Sequence, residues 1–389
     1  MVFGPLALIL AAGLLGPLFA SAPRFAPPIV VGQIFAGVAI GNGGLRWVDP
    51  SDQWLTGLAA VGFALLMFVV GSHLPLRESH LLASLAAGTG ATVSVIVVAL
   101  AVGFALAETV GPSRPGIFAV LLTTSSGAVA LPVLQALGTQ NRQILVATAW
   151  IAIADVLSVL AVPAVLATGG LGRVLVGYVA VIALGAGLYF VADSMRNHAA
   201  VRRVRSLSAS RGWGLDLRIS LVALFACAWL ATRFGTSVLV AGFTIGVVVA
   251  ALGEPRRVAQ QLVGLGEGFL IPLFFVHLGA QLDLGALFRS PAAMQLAAAL
   301  AFAGIALHVA VALVWKLPVA FGLIASAQLG VPAAIVSIGL STNQLTAAEG
   351  AGIMAAALVT LAACAIGGAI LGPPGPLAGA TAPHGTSLS

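Results

Sequence analysis

Asp155 lies in the stretch Trp150-Ile151-Ala152-Ile153-Ala154-Asp155-Val156-Leu157-Ser158, and no other charged residue occurs between Arg142 and Arg173. An aspartate at the centre of a membrane helix costs about 2.5–3.5 kcal/mol on insertion scales, so such a residue is read as functional. Burial disfavours a bare carboxylate unless a proton or a cation neutralises it. An acid in that position can therefore trade a proton for a hard monovalent cation. Carboxylate, hydroxyl and backbone carbonyl oxygens suit such an ion, and Thr124, Ser125, Ser126 and Ser158 supply hydroxyls close by, with Thr123 and Gln328 as further lining residues. His308, midway through another apolar run, is read as a second titrating group or a counter-charge to Asp155, against the plain alternative of a packed histidine. Glu267 is read as a structural acid, buried or close to the membrane surface, and His73 and His277 as interfacial.

The elements that must hold these residues are membrane helices. The chain has 389 residues, of which 60% are hydrophobic and 7% charged, with a mean hydropathy of +1.12. A soluble domain carries about 25% charged residues. Runs of about 20 apolar residues recur, whereas a membrane barrel would show short alternating segments. Thirteen spans are expected, near 4–20, 26–41, 56–72, 82–107, 116–138, 143–167, 172–192, 217–233, 236–252, 259–279, 293–315, 318–341 and 350–372. The first is read as a retained span, and the Gly/Ala/Pro/Ser-rich residues 373–389 as a disordered tail.

Six spans, a linker and six more would place the second set upside down relative to the first, the usual build of secondary transporters. Interrupted helices at matching positions would mark the site. Span five carries Thr123-Thr124-Ser125-Ser126-Gly127 through Pro132, and span twelve carries Ser326-Ala327-Gln328-Leu329-Gly330-Val331-Pro332. Gly127, Pro132, Gly330 and Pro332 are the expected helix breaks, since glycine tolerates non-helical backbone and proline lacks a donor. Gly37 and Gly41 form a GxxxG spacing that suits close helix packing.

The net charge of +6 is membrane-topological rather than a sign of nucleic-acid binding. With thirteen spans, Arg24, Arg77, Arg142, the six arginines from Arg196 to Arg218, Arg256, Arg257 and Lys316 fall on one side, which the positive-inside rule makes cytoplasmic. The amino terminus is then outside and the carboxyl terminus inside. Cys227 and Cys364 are read as core residues, with no metal spacing. No nucleophile elbow, phosphate loop or zinc motif is present, so no enzyme activity or cofactor is expected.

The stretch Pro27-Pro28-Ile29-Val30-Val31-Gly32-Gln33-Ile34-Phe35-Ala36-Gly37 resembles the second span of bacterial monovalent cation:proton antiporters of the NapA and Kef kind. So does Phe269-Leu270-Ile271-Pro272-Leu273-Phe274-Phe275-Val276-His277-Leu278-Gly279, followed by Leu282 and Asp283. Ala154-Asp155 falls where the family has its Asp-Asp or Asn-Asp pair, with Asp155 matching the essential second member, and Thr124-Ser125-Ser126-Gly127 is similar to its unwound fifth span. The chain departs from the pattern at Ala154, at Gln33 for a common glutamate, at His308 for a common lysine, and at Leu329-Gly330-Val331 for Arg-Gly-Glu.

The resemblance implies a NhaA-like, all-α polytopic membrane protein with two inverted six-helix repeats and crossed discontinuous helices. It implies a dimerisation domain (1–80 and 215–290), a core domain (81–168 and 291–372) and a linker helix with a basic cytoplasmic loop (169–214). It further implies Na+/H+ or K+/H+ exchange by elevator-like movement in a homodimer of the bacterial inner membrane. The transported cation and protons are the only ligands expected, and the lipid bilayer the main partner. A cation-coupled symporter of an organic solute and a non-transporting membrane sensor are the alternatives, suggested by the sparse polar residues around Asp155.

Overall fold

In lipid the backbone of an apolar run must satisfy its own hydrogen bonds, and helix is the way a single segment does so. The computed structural model describes residues 3–21, 29–72, 79–109, 115–137, 141–166, 170–195, 198–211, 213–253 and 264–372; among these there are helices and turns and no strand. His73, Pro27, Pro28, several loop arginines (Arg24, Arg77, Arg114, Arg196, Arg256 and Arg257) and the tail from 373 lie outside the described residues.

In chain order the helices are α1 (Phe3–Gly13), α2 (Leu15–Ala20), α3 (Ile29–Ile40), α4 (Gln53–Ser72), α5 (Ser79–Thr109), α6 (Pro115–Thr123), α7 (Gly127–Ala136), α8 (Arg142–Val165), α9 (Leu171–Met195), α10 (Ala199–Arg211), α11 (Leu215–Arg233) and α12 (Val238–Leu252). A π-helical turn, Gly266–Leu270, leads into α13 (Ile271–Gln281), followed by α14 (Leu284–Arg289), α15 (Pro291–Val314), α16 (Val319–Ala325), α17 (Gly330–Ser341) and α18 (Ala347–Leu371). Ten stretches among the described residues are long and apolar enough to cross a membrane, counting α1–α2, α6–α7, the π-helical turn with α13 and α14, and α16–α17 as one each. The apolar helices α3 and α12 are shorter, and α11 carries Arg218 and Arg233. The chain is thus a multi-pass membrane protein, all-helical among the described residues.

The helices pack in two groups. In one, α4 lies along α12 and α13, α3 lies along α13, and α9 and α11 flank α12. In the other, α5 packs on α6 and α8, α15 and α16 pack on α18, and α17 meets α18 and α8. At the seam between the groups, a Cβ on Gly330 of α17 would lie 3.1 Å from Met67 Cε of α4.

Glycine sets the closest approach in the first group. A Cβ on Gly37 would lie 2.0 Å from the Val276 carbonyl oxygen, and one on Gly279 would lie 2.2 Å from that of Ile34. Gly37→Ala is therefore expected to push α3 and α13 apart at a cost of about 1–3 kcal/mol. The measurement is the melting temperature in detergent, with Gly57→Ala as the control, because nothing lies within 4 Å of a Cβ at Gly57.

Three expectations change and a fourth narrows. The basic segment read as a loop is helical as α10: Ala200, Val201 and Val204 alternate with Arg202, Arg203 and Arg205 so that the two classes segregate on a helix. Pro132 sits inside α7, in its second turn, rather than at a break. Glu267 is exposed on the π-helical turn, which removes the buried one of its two readings and leaves the one close to the membrane surface. The turn itself has a cause in Pro272, which removes a donor and crowds the carbonyl four residues back. His277 is buried, with Nε2 3.0 Å from the Gln281 side-chain nitrogen, because α13 is enclosed by α1, α3 and α4 rather than ending at an interface. Cys227 and Cys364 are buried and unpaired with each other, as core residues.

Candidate functional site

Both expected interruptions are present. The backbone leaves helical geometry at Thr124–Ser126, between α6 and α7, and at Ala327–Leu329, between α16 and α17. The two unwound segments touch, the Ser126 N–H donating to the Ala327 carbonyl at 2.6 Å. Thr124, Ser125, Ser126, Ser326 and Gln328 are all buried there. Unwound backbone at membrane depth is tolerable only inside protein or beside a wet cavity. Gly127 and Gly330 are the first residues of the second half-helices. Pro332 falls in the first turn of α17, where its missing N–H would have no intrahelical partner.

Asp155, on α8, is only 7% exposed. The Gly127 N–H donates to its Oδ2 at 3.0 Å. The carboxylate thus meets the positive end of α7, where free N–H groups and the helix dipole favour negative charge. The fit is tight: a Cβ on Gly127 would lie 2.8 Å from the same oxygen. One turn further along α8, the Ser158 hydroxyl donates to the Asp155 backbone carbonyl at 3.0 Å and lies 3.0 Å from Thr124 Oγ1. The structure therefore gathers Asp155, Thr124, Ser126, Gly127 and Ser158 at the first break. Thr123 turns back on its own helix and bonds the Ala119 carbonyl at 2.8 Å. The Ser125 Oγ is buried without a hydrogen-bond partner among the described residues. A buried carboxylate capped by a backbone N–H, with hydroxyls and freed backbone on the adjoining turns, can hold either a proton or a small hard cation.

His308 belongs to a neighbouring cluster. Its ring stacks on Trp150, five residues before Asp155 on α8, with centroids 5.7 Å apart and an interplanar angle of 13°. Its Nδ1 donates to the Gly304 carbonyl at 2.8 Å, so in the neutral ring Nε2 is left as a buried acceptor. Its partners are Gly304 and Trp150 rather than Asp155. Gln328 reaches the same place: a Cβ on Gly304 would lie 3.1 Å from its amide nitrogen, and its backbone N–H donates to Thr360 Oγ1 at 3.2 Å. Sequence reading missed Trp150, Gly304 and Thr360. Thr360 carried a signal, as the sole hydroxyl in α18; Gly304 carried none apart from lying four residues before His308.

A family profile described as "Sodium/hydrogen exchanger, transmembrane" matches residues 9–375. YjbQ of Bacillus subtilis (strain 168), provisionally named a Na(+)/H(+) antiporter, is 29% identical over 303 residues, which are 73% of this chain and 48% of YjbQ. The glutathione-regulated potassium-efflux system protein KefC of Klebsiella pneumoniae (strain 342) is 26% identical over 277 residues, 67% of this chain and 42% of KefC. The chain spans about half the length of these curated relatives or less. Among solved structures, the sodium proton antiporter MjNhaP1 from Methanocaldococcus jannaschii at pH 8 aligns with a TM-score of 0.62 and 15% identity, covering 94% of this chain and 96% of that one, a likeness of fold.

Proposed function

This chain belongs to the sodium/hydrogen exchanger family, and from that premise we propose that it exchanges a monovalent cation, Na+ or K+, for protons through Asp155. The observation that carries the reading is the Asp155 carboxylate, buried at membrane depth against the first N–H of a half-helix and beside two touching unwound segments. The proton and the cation compete for that carboxylate, and Thr124, Ser125, Ser126 and Ser158 supply the surrounding oxygens. One relative named for Na+ and another named for K+ favour a monovalent cation.

The exchange is one for one. Ala154 leaves a single acid at the site, so one proton or one cation neutralises it. His308, engaged with Gly304 and Trp150, brings no counter-charge to it. The two packing groups act as a dimerisation scaffold and a moving core, and the core shifts past the scaffold as an elevator to expose Asp155 to each side in turn. Thirteen spans in two inverted repeats, an outside amino terminus, a homodimer and a bacterial inner membrane complete this reading.

Reconstitution into liposomes tests it. Adding Na+, K+ or Li+ outside acid-loaded vesicles is expected to drive proton efflux for at least one ion, read as dequenching of an interior pH dye. Current on a supported membrane is expected to be absent during the same turnover. Sustained current would overturn one-for-one exchange. Sodium-dependent uptake of a labelled organic anion without cation-driven pH change would replace antiport by symport.

A further inference from the structure

The second interruption is gripped by a residue outside it. Thr360 lies midway along α18, fully buried against the unwound Ala327–Leu329 segment. Its hydroxyl donates to the Ala357 carbonyl, one turn back, at 2.7 Å. With that proton committed, the oxygen's lone pairs are left to accept, and the Gln328 N–H donates to them at 3.2 Å. Gly304 of α15 makes the room. A Cβ there would lie 3.1 Å from the Gln328 side-chain nitrogen and 4.0 Å from the Thr360 methyl.

A peptide unit is planar, and in the trans form its N–H and C=O point opposite ways. The Gln328 N–H and the Ala327 carbonyl are the two edges of one such unit. Thr360 holds the N–H edge from α18. On the other edge the carbonyl accepts the Ser126 N–H of the first interruption at 2.6 Å. Ser126 precedes Gly127, whose N–H donates to Asp155 Oδ2 at 3.0 Å. Turning the Ala327–Gln328 plane would swing the carbonyl off Ser126 and loosen the residue next to Gly127. Packing alone accounts for a buried threonine that bonds back to its own helix. It does not account for an acceptor set on the N–H opposite the carbonyl that joins the two breaks.

We propose that Thr360 is a positioning residue for Asp155. By fixing the orientation of one peptide plane, it holds Ser126 in place and so keeps the Gly127 N–H on the carboxylate. It acts through the backbone of both interruptions and not by touching the carboxylate. The effect on transport rests on exchange running through Asp155; the effect on the backbone does not.

The test compares Thr360→Val and Thr360→Ala, which remove the acceptor, with Thr360→Ser, which keeps it, in the purified full chain. Alanine also removes any crowding by the second methyl of valine. Leaving a buried donor unpaired is costly, so amide hydrogen exchange at Ser126 and Gly127 is expected to quicken at least about tenfold in the valine and alanine variants. In Thr360→Ser it should match the native chain. In liposomes the apparent affinity for the driving cation is expected to weaken about tenfold without the acceptor, with the maximal rate within about threefold and the serine variant close to native. Faster exchange at Gln328 with none at Ser126 or Gly127 would reduce Thr360 to a local contact and overturn the proposal. So would equal losses in the serine and valine variants, or a fall in maximal rate with the affinity unchanged. A native chain without cation-driven proton flux would instead sink exchange through Asp155, and amide exchange at Ser126 and Gly127 would still decide the role of Thr360.

Discussion

Asp155→Asn is expected to reduce cation-driven proton flux in liposomes at least about 100-fold, to the level of protein-free vesicles. The asparagine is nearly isosteric, and its carbonyl oxygen can accept the Gly127 N–H as Oδ2 does in the native chain. It cannot release a proton at any working pH, and it offers a bound cation no negative charge. Removing one member of a buried charge pair costs about 3–5 kcal/mol, which is two to three and a half orders of magnitude in binding. Stability is expected to stay level or rise, because the variant no longer has to bury an ionisable group. The variant thus separates function from folding. A well-folded Asp155→Asn protein that still moves protons in response to Na+ or K+ would place the exchange elsewhere in the molecule.

Asp155 was legible in the sequence because a carboxylate in an apolar run has no structural disguise. The two interruptions were legible for a similar reason: small polar residues, glycine and proline coincide in the fifth and twelfth apolar runs. What sequence pattern lacks is direction. Pro132 looked like a breaker, yet α7 continues through it, and the unwinding is placed one residue before Gly127, where the Asp155 carboxylate caps the new helix. His308 has the right depth to answer Asp155, but which ring nitrogen meets which carbonyl depends on tertiary packing, and Trp150 and Gly304 claim it. The helix α10 was hidden by its charge. Its mean polarity reads as loop, and only the alternation of valine with arginine carries the helical signal.

Gly127→Ala carries the second large effect, and its contrast with Gly330→Ala is the sharper test of geometry. Both glycines start the second half of a broken helix, and neither has a positive φ, so alanine is compatible with the backbone at each. The difference lies in what the added methyl meets. At Gly127 it would lie 2.8 Å from Asp155 Oδ2, the atom that accepts the Gly127 N–H. The carboxylate must then swing away and give up that bond. A hydrogen bond to a charged group is worth about 1.5–3 kcal/mol, so cation exchange is expected to fall about 10- to 100-fold, with the apparent affinity for the cation changed as well as the maximal rate. At Gly330 the nearest atom is the terminal methyl of Met67, 3.1 Å away at the end of a flexible thioether. That side chain can yield, so exchange by Gly330→Ala is expected to stay within about threefold of the native rate. Equal losses in the two variants would mean that the crossing responds as a unit to crowding at either half-helix. A loss confined to Gly127→Ala would tie the exchange to the position of one carboxylate oxygen.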